Sequence, residues 1–134
     1  MTPFRLKIVT PDGVQYDGQA EELIVRTTTG DLGILAGHMN CVAPLGMGRA
    51  TIVIEGKKHY AACIGGMLSV MGEKVTLVPT TFEWAKDIDE ARADRSYQRA
   101  QAILSDKNAA KTDIALAEAR LKRALVRRSV ASNK

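Results

Sequence analysis

Residues 74–93, KVTLVPTTFEWAKDIDEARA, contain the point at which a strand-forming pattern changes to a helix-forming one. On the N-terminal side the apolar runs are short, and Pro79 ends the last of them. All eleven glycines of the chain lie at or before Gly72, and no glycine or proline follows Asp87. Because glycine and proline favour turns and disfavour helix interiors, the sequence predicts a β domain over 1–85 and a helical domain over 86–134.

The first domain has the alternation of half-buried strands. Phe4, Leu6 and Ile8 alternate with Arg5 and Lys7, as expected for a strand with one buried face. The apolar runs 51–54 with 60–64, and 67–71 with 75–78, flank short glycine-containing segments and are predicted to form hairpins. Several short strands at this spacing indicate an antiparallel sandwich or barrel.

The second domain has apolar residues at helical spacing along two stripes. The first stripe contains Ala93, Tyr97, Ala100 and Leu104, and the second contains Ile114, Ala117, Leu121, Ala124 and Leu125. The polar segment 105–108 separates the stripes, and Thr112 is the predicted N-cap of the second helix. Two helices joined by a short polar loop form an antiparallel hairpin. The predicted fold class is therefore α+β, an antiparallel β-sandwich followed by a two-helix hairpin.

The charge differs between the two domains. Residues 1–85 carry 7 Lys/Arg and 8 Asp/Glu, for −1, and residues 86–134 carry 12 and 7, for +5. No N-terminal signal pattern is present, and no apolar run reaches the roughly 20 residues that cross a bilayer. We therefore expect a cytosolic protein or one that is peripheral on a cytosolic membrane face. Both stripes are rich in alanine, which buries little area, so we expect a loosely held, movable hairpin.

Motifs for catalysis or metal binding are not found in the sequence. It contains no GxxxxGKT, HExxH or GxSxG segment. The two histidines, His38 and His59, have no metal-ligand spacing, and we expect His59 to be a surface residue. Cys41 and Cys63 lack CxxC spacing and are predicted to be unpaired, buried small groups. We expect no catalytic centre, no metal and no required cofactor.

The segment 30–38, GDLGILAGH, is predicted to be a glycine-rich contact loop, with a structural turn between strands as the alternative. It resembles the GxxGILPGH segment of the epsilon subunit of bacterial F-type ATP synthases. FRLKIVTPDGVQYDG at 4–18, IDEARA at 88–93 and LKRALVRR at 121–128 also resemble segments of that family, in the same order. The resemblance covers nearly the whole chain.

This resemblance implies a ten-stranded sandwich, a two-helix hairpin and a non-catalytic role in a proton- or sodium-translocating synthase. It implies a peripheral position on the cytoplasmic side of the bacterial cell membrane, between the gamma subunit and the c-ring. It also implies that the hairpin extends along gamma to the catalytic head of alpha and beta subunits and inhibits ATP hydrolysis. Asp31 and His38 match the segment of the family that contacts the c-ring.

The resemblance further implies ATP as a regulatory ligand of the folded hairpin. Arginine side chains on its two helices are expected to converge on the polyphosphate, because guanidinium groups pair bidentately with phosphate oxygens. The positions that match the family's nucleotide motif are Glu83, Ile88, Asp89, Arg92, Ala93, Arg99, Arg123 and Arg127. The alternative is that these arginines form a solvated face or belong only to the inhibitory contact.

Two other classes of function were weighed. A basic helical part could bind a nucleic-acid backbone through charge alone. However, its basic residues are interleaved with seven acidic ones, and aromatic residues make up only 4% of the chain, so few side chains are available to stack on bases. We therefore expect no nucleic-acid partner. A free-standing enzyme would need a nucleophile–base pair or a metal constellation, and the sequence offers neither.

Overall fold

The computed structural model describes residues 2–132, which form two compact units that divide between Trp84 and Ala85. The first unit contains ten strands. They are β1 Phe4–Thr10, β2 Gly13–Ala20, β3 Glu22–Thr27, β4 Gly30–Ile34, β5 Cys41–Pro44, β6 Met47–Ile54, β7 Lys57–Ile64, β8 Met67–Met71, β9 Lys74–Val78 and β10 Thr81–Trp84. The second unit contains a short 3-10 helix, Ala85–Asp87, followed by α1 Glu90–Ser105 and α2 Lys111–Ala131. The predicted sandwich and hairpin are confirmed.

The ten strands form two five-stranded sheets. Sheet A has the order β2-β1-β9-β8-β5, and sheet B has the order β10-β7-β6-β3-β4. Neighbouring strands are antiparallel except β1 and β9, which are parallel and pair Leu6 with Val75 and Ile8 with Leu77. A simple meander pairs each strand with the next one along the chain and would not place β1 beside β9. The pairing of these two strands therefore depends on contacts that are distant in sequence.

The core of the first unit comes from alternate residues of both sheets. Leu6 and Ile8 of sheet A and Leu23 and Ile52 of sheet B are fully buried, and they belong to one apolar cluster that also contains Phe82. Each fully buried aliphatic side chain stabilises the fold by about 1.5–3 kcal/mol. The period of two along β1 that the sequence showed is therefore the inward and outward alternation of a sandwich strand.

Tight turns fix the hairpins at positions that require positive φ. Glu55 and Gly56 connect β6 to β7 with φ of 50° and 76°, which is the pattern of a type I′ turn. β7 begins at Lys57, directly after this turn. Gly66 connects the sheets between β7 and β8 with φ of 96°, and its carbonyl accepts a hydrogen bond from the Leu45 amide at 2.8 Å.

The glycine-rich segment 30–38 is not a loop along its whole length. Its first five residues are β4, the edge strand of sheet B, which pairs with β3 over Leu23–Thr27. Only the end of the segment turns, where the His38 amide donates to the Leu35 carbonyl at 3.1 Å and Gly37 has φ of 83°. The prediction of a loop was wrong for 30–34, because Leu32 and Ile34 supply the apolar face of a strand.

The two helices of the second unit pack through alanine. Ala93 and Ala100 of α1 and Ala117 and Ala124 of α2 are buried, as the stripes predicted. Leu125, assigned to the second stripe from the sequence, is 45% exposed. It follows Ala124 directly, and about 100° of rotation per residue carries it off the interface.

The start of α2 also differs from the prediction. Thr112 lies inside the helix, and the N-cap is Ala110, whose side chain makes no capping hydrogen bond. By contrast, the Asp89 carboxylate caps α1 by accepting from the Arg92 amide at 3.0 Å. Between the helices, Asp106 accepts from the Asn108 amide at 2.9 Å. Across residues 2–132, none of the helices combines the length and apolar character that a membrane span requires.

Candidate functional site

The first candidate surface contains Asp31 and His38. Asp31 lies on the edge strand β4 opposite Arg26 of β3, and its carboxylate oxygen is 3.3 Å from the Arg26 Nε atom. The Asp31 side chain is 63% exposed. A surface pair of this kind contributes only about 0–1 kcal/mol, so a partner with a better donor could displace Arg26.

His38 lies in a separate part of the same segment, at the end of the Leu35–His38 turn. Its Nδ1 atom is 2.8 Å from the Met39 carbonyl oxygen, and the next residue, Asn40, accepts from the Gly72 amide at 2.7 Å. These contacts tie the segment to the turn between β8 and β9. His38, Leu35 and Gly72 line one open cleft of about 560 Å³.

Sheet A exposes an apolar outer face. Met67 and Met71 of β8 point away from the buried Leu68 and Val70, and Met67 pairs with Val78 of β9. Four apolar residues of this face are between 43% and 62% exposed: Val42, Met67, Met71 and Val78. We call these four residues the sheet A patch. Contiguous apolar groups on a soluble surface indicate a contact with another molecule, and methionine adapts to irregular partners.

The second candidate site begins at the start of the helical unit. Ile88 is buried, Asp89 caps α1, and Ala93 is buried at the helix interface. Arg92 is exposed in the first turn of α1. Because one Asp89 oxygen already accepts from the Arg92 amide, this part of the IDEARA motif has a structural role in starting the helix, and the Arg92 guanidinium remains at the surface.

An ion pair between the two helices fixes their register. The Arg128 Nε atom of α2 is 2.7 Å from a carboxylate oxygen of Asp94 on α1. The Arg128 guanidinium carbon lies 4.4 Å from the centre of the Tyr97 ring, within range of a cation–π interaction. The Tyr97 hydroxyl accepts from Gln101 Nε2 at 2.8 Å. We call Asp94, Tyr97 and Arg128 the interhelix cluster.

This register determines where the predicted arginines lie. At about 100° per residue, Asp94 and Tyr97 lie on one side of the buried Ala93–Ala100 line, and Arg92 and Arg99 lie on the other. On α2, Arg123 and Arg127 lie on the side of the Ala117–Ala124 line away from Arg128. Because Arg128 meets Asp94 and Tyr97, the sides that carry the other four arginines lie together on the opposite flank of the hairpin.

We call Arg92, Arg99, Arg123 and Arg127 the arginine flank. Arg92 and Arg99 are exposed, and Arg123 and Arg127 are half-buried. Four arginines on one flank of the hairpin provide fork-shaped guanidinium donors that match phosphate oxygens. Glu83, the remaining predicted residue, is on β10 of the first unit, so the hairpin by itself supplies seven of the eight predicted positions.

The sequence reasoning missed the interhelix cluster. Asp94 and Arg128 were each visible as charged residues, but their pairing depends on the register of two antiparallel helices. Aligning the two alanine stripes in opposite directions places Ala100 near Ala124 and Asp94 near Arg128. The sequence by itself does not fix which alanines align, so the pair follows only from the observed register.

Reactive groups are few in the described part of the chain. Residues 2–132 contain no group of three or more His, Cys, Asp or Glu side chains that could hold a metal ion. Cys41 and Cys63 are unpaired, and burial raises the pKa of the Cys63 thiol to about 12. The thiolate is the nucleophilic form of cysteine, so Cys63 is unreactive at neutral pH.

Comparison with known proteins covers both units. Residues 3–85 match the family model of the ATP synthase delta/epsilon chain β-sandwich domain, and residues 86–132 match the model of its long α-helix domain. An ATP synthase epsilon chain of Bacillus velezensis is 42% identical over 99% of this chain and 100% of the relative. One from Ruminococcus albus is 39% identical over the full length of both chains.

Solved structures show the same fold. A chain of the Euglena gracilis mitochondrial ATP synthase, in a structure that contains OSCP, F1 and the c-ring, has a TM-score of 0.85 at 20% identity. That match covers 100% of this chain and 83% of the other. With both family models matched in order and curated relatives matched over their full length, this chain belongs to the epsilon-chain family of F-type ATP synthases.

Proposed function

We propose that this chain is a rotor subunit that couples the gamma subunit to the c-ring of a proton- or sodium-translocating ATP synthase and inhibits ATP hydrolysis through its hairpin. ATP bound to the folded hairpin favours the non-inhibitory state. The observation that carries this proposal is the arginine flank, which presents four arginines on one flank of two helices that pack through alanine. We expect this subunit to be peripheral, on the cytoplasmic side of the bacterial cell membrane.

The sheet A patch is the surface that we assign to gamma. Val42, Met67, Met71 and Val78 expose apolar area on neighbouring strands, and a sheet face is a rigid platform for a constant contact. A rotor subunit has to transmit torque, so its permanent interface should lie on the rigid sandwich and not on the hairpin.

The c-ring contact is assigned to Asp31 and His38. The Asp31 side chain is exposed and His38 is half-buried, and both belong to one continuous segment at the surface of the sandwich. Asp31 has a weak partner in Arg26 at 3.3 Å, so its carboxylate could accept hydrogen bonds from a polar loop of the c subunit. Crosslinking from a cysteine at position 31 to that loop tests the assignment.

Inhibition is assigned to the basic face of α2. Arg120, Arg123 and Arg127 recur at i, i+3 and i+7 along the helix, and like charges at this spacing disfavour one another by a few tenths of a kcal/mol per pair. An acidic surface on the beta subunits of the catalytic head would relieve this repulsion when the hairpin extends. Two of these arginines, Arg123 and Arg127, also serve the phosphates of ATP when the hairpin is folded, so the two states compete for them.

Mass action makes ATP a regulator in this arrangement. A ligand that binds only the folded hairpin stabilises it by about 2.7 kcal/mol at a concentration of 100 times its dissociation constant. The subunit therefore resists extension when ATP is abundant and extends when ATP is scarce. Hydrolysis is then inhibited under the conditions in which the enzyme would otherwise consume the remaining ATP.

Isothermal titration calorimetry of the full-length subunit with ATP tests the ligand. We expect saturable heat for the wild type and about tenfold or greater weakening for Arg92→Ala and Arg127→Ala, because a hydrogen bond to a charged group contributes about 1.5–3 kcal/mol. Arg95→Ala is the matched control, since Arg95 is exposed on α1 and lies outside the arginine flank. No heat and no melting shift at millimolar ATP would refute ATP binding, as would variants that respond like the wild type.

A further inference from the structure

The interhelix cluster joins the far ends of the hairpin. Asp94 is in the second turn of α1, and Arg128 is in the last turn of α2. Their side chains are 2.7 Å apart and are 54% and 41% exposed, respectively. This contact therefore lies at the open end of the hairpin, opposite the loop at 106–110, where separation of the helices would begin.

Arg128 is held by two groups of the same partner helix. Asp94 supplies a carboxylate and Tyr97 supplies a ring face at 4.4 Å, and these two residues are i, i+3 neighbours on one side of α1. Gln101 fixes the Tyr97 hydroxyl from one turn further along at 2.8 Å. All of these partners are on α1, so every Arg128 contact named here is lost when the helices separate.

The buried alanines bring the two helices into contact but do not specify one register between them. Ala93, Ala100, Ala117 and Ala124 bury small side chains and allow close approach, but each contributes little transfer free energy. An alanine interface also tolerates sliding, because its side chains are alike. The interhelix cluster is the directional contact that selects one register and opposes opening.

We propose that Asp94, Tyr97 and Arg128 form a latch that holds the hairpin folded in the absence of ligand. The latch and the arginine flank lie on opposite sides of the alanine interface, so the latch acts without touching a bound nucleotide. The effect of the latch on the apparent ATP affinity rests on the proposed function. It depends on the fraction of molecules in which the hairpin is folded. A ligand that binds only the folded form has its dissociation constant divided by the folded fraction.

Distance measurement between spin labels on the two helices tests the latch. Labels at Gln98→Cys and Lys122→Cys, both exposed positions, are placed in the full-length chain with Cys41 and Cys63 replaced by serine and alanine. We expect Asp94→Asn, which removes the ion pair, to raise the ratio of open to folded hairpin about threefold without nucleotide. Arg128→Gln, which also removes the cation–π contact, should raise it about tenfold.

Two further variants distinguish a latch from a general loss of stability. The exchange Asp94→Arg with Arg128→Asp should restore most of the folded fraction, and Arg95→Gln, an exposed arginine of α1 outside the cluster, should leave it unchanged. High salt should raise the open fraction of the wild type more than that of Asp94→Asn, because salt screens the ion pair. The melting temperature of the sandwich should stay constant in all variants.

The possible outcomes distinguish a failure of the latch from a failure of the proposed ATP binding. An open fraction that does not change in either single variant would overturn the latch, whatever ATP does. The latch would also be overturned if the exchange variant opened by the combined amount of the two single variants. A changed open fraction in the single variants, together with a wild type that does not respond to ATP, would support the latch and refute the ligand.

Discussion

Substitution of Gly66 by alanine should destabilise the sandwich more than substitution of any glycine in an open turn. Gly66 has φ of 96°, and a Cβ atom there would lie 2.0 Å from the Val78 carbonyl oxygen and 2.6 Å from the Pro79 Cα atom. Both neighbours are backbone, so they cannot rotate away. Positive φ costs an alanine about 1–3 kcal/mol, and displacing β9 from β8 adds the loss of the Met67–Val78 pairing.

We expect a loss of at least about 3 kcal/mol for Gly66→Ala, which corresponds to a decrease in Tm of about 12 °C or more for a domain of this size. The Gly72→Ala variant measures the cost of positive φ alone, because Gly72 has φ of 63° and a Cβ atom there would meet nothing within 4 Å. Gly72→Ala should therefore cost only about 1–2 kcal/mol.

Gly33 is the control without strain or clash, since a Cβ there also meets nothing within 4 Å and no positive φ is present. Gly33→Ala should leave stability within about 0.5 kcal/mol of the wild type. Urea unfolding followed by circular dichroism measures the series. Equal losses for Gly66→Ala and Gly72→Ala would refute the argument that the close approach of β9 decides the cost.

Four other predictions concern the two units separately. A chain that ends at residue 85 should show a cooperative melt and a β-type circular dichroism spectrum, and an aggregating or molten product would contradict two separable units. Ala110→Asp should stabilise α2 by about 1 kcal/mol by supplying the missing N-cap, whereas Asp at the exposed interior position Ala115 should destabilise it. Because burial raises the Cys63 pKa to about 12, a thiol reagent at pH 8 should modify Cys41 first, and mass spectrometry that finds equal labelling would contradict the buried position of Cys63. Since this raised pKa means that the folded state keeps the proton, stability should fall as the pH rises from about 9 towards 12.

Local patterns in the sequence predicted the elements that depend on local physics. The alternation of Phe4, Leu6 and Ile8 predicted β1, and the spacing of Ala93 and Ala100 predicted the inner side of α1, because burial follows the period of each element. The same reasoning failed for 30–34, where glycines indicated a loop, although β4 has a partner strand on one side only and tolerates them.

Contacts distant in sequence could not be read from these patterns. The parallel pairing of β1 with β9 and the order of strands within each sheet depend on the packing of the whole first unit. Leu125 was wrongly assigned to the buried stripe of α2. A step of one residue along a helix is enough to move a side chain from a buried position to an exposed one. Thr112 was misassigned as a cap because α2 begins before it, at an alanine that has no capping group.

The candidate site was predictable in part. The arginine flank follows from helical spacing once the helices are known to be antiparallel, and its residues were named from the sequence. The cap formed by Asp89 and the pair formed by Asp94 and Arg128 required backbone and side-chain positions. The sequence therefore predicted the charges of the site, and the structure added their register.

We propose that the hairpin restrains ATP hydrolysis and is not needed to hold the subunit in the complex. The most direct measurement compares the ATPase rate of a synthase reconstituted with the full chain and with a chain that ends at residue 85, at low ATP. We predict a several-fold higher rate with the shortened chain, with the same amount of gamma and c-ring recovered. An unchanged rate in a fully assembled complex would contradict the claim.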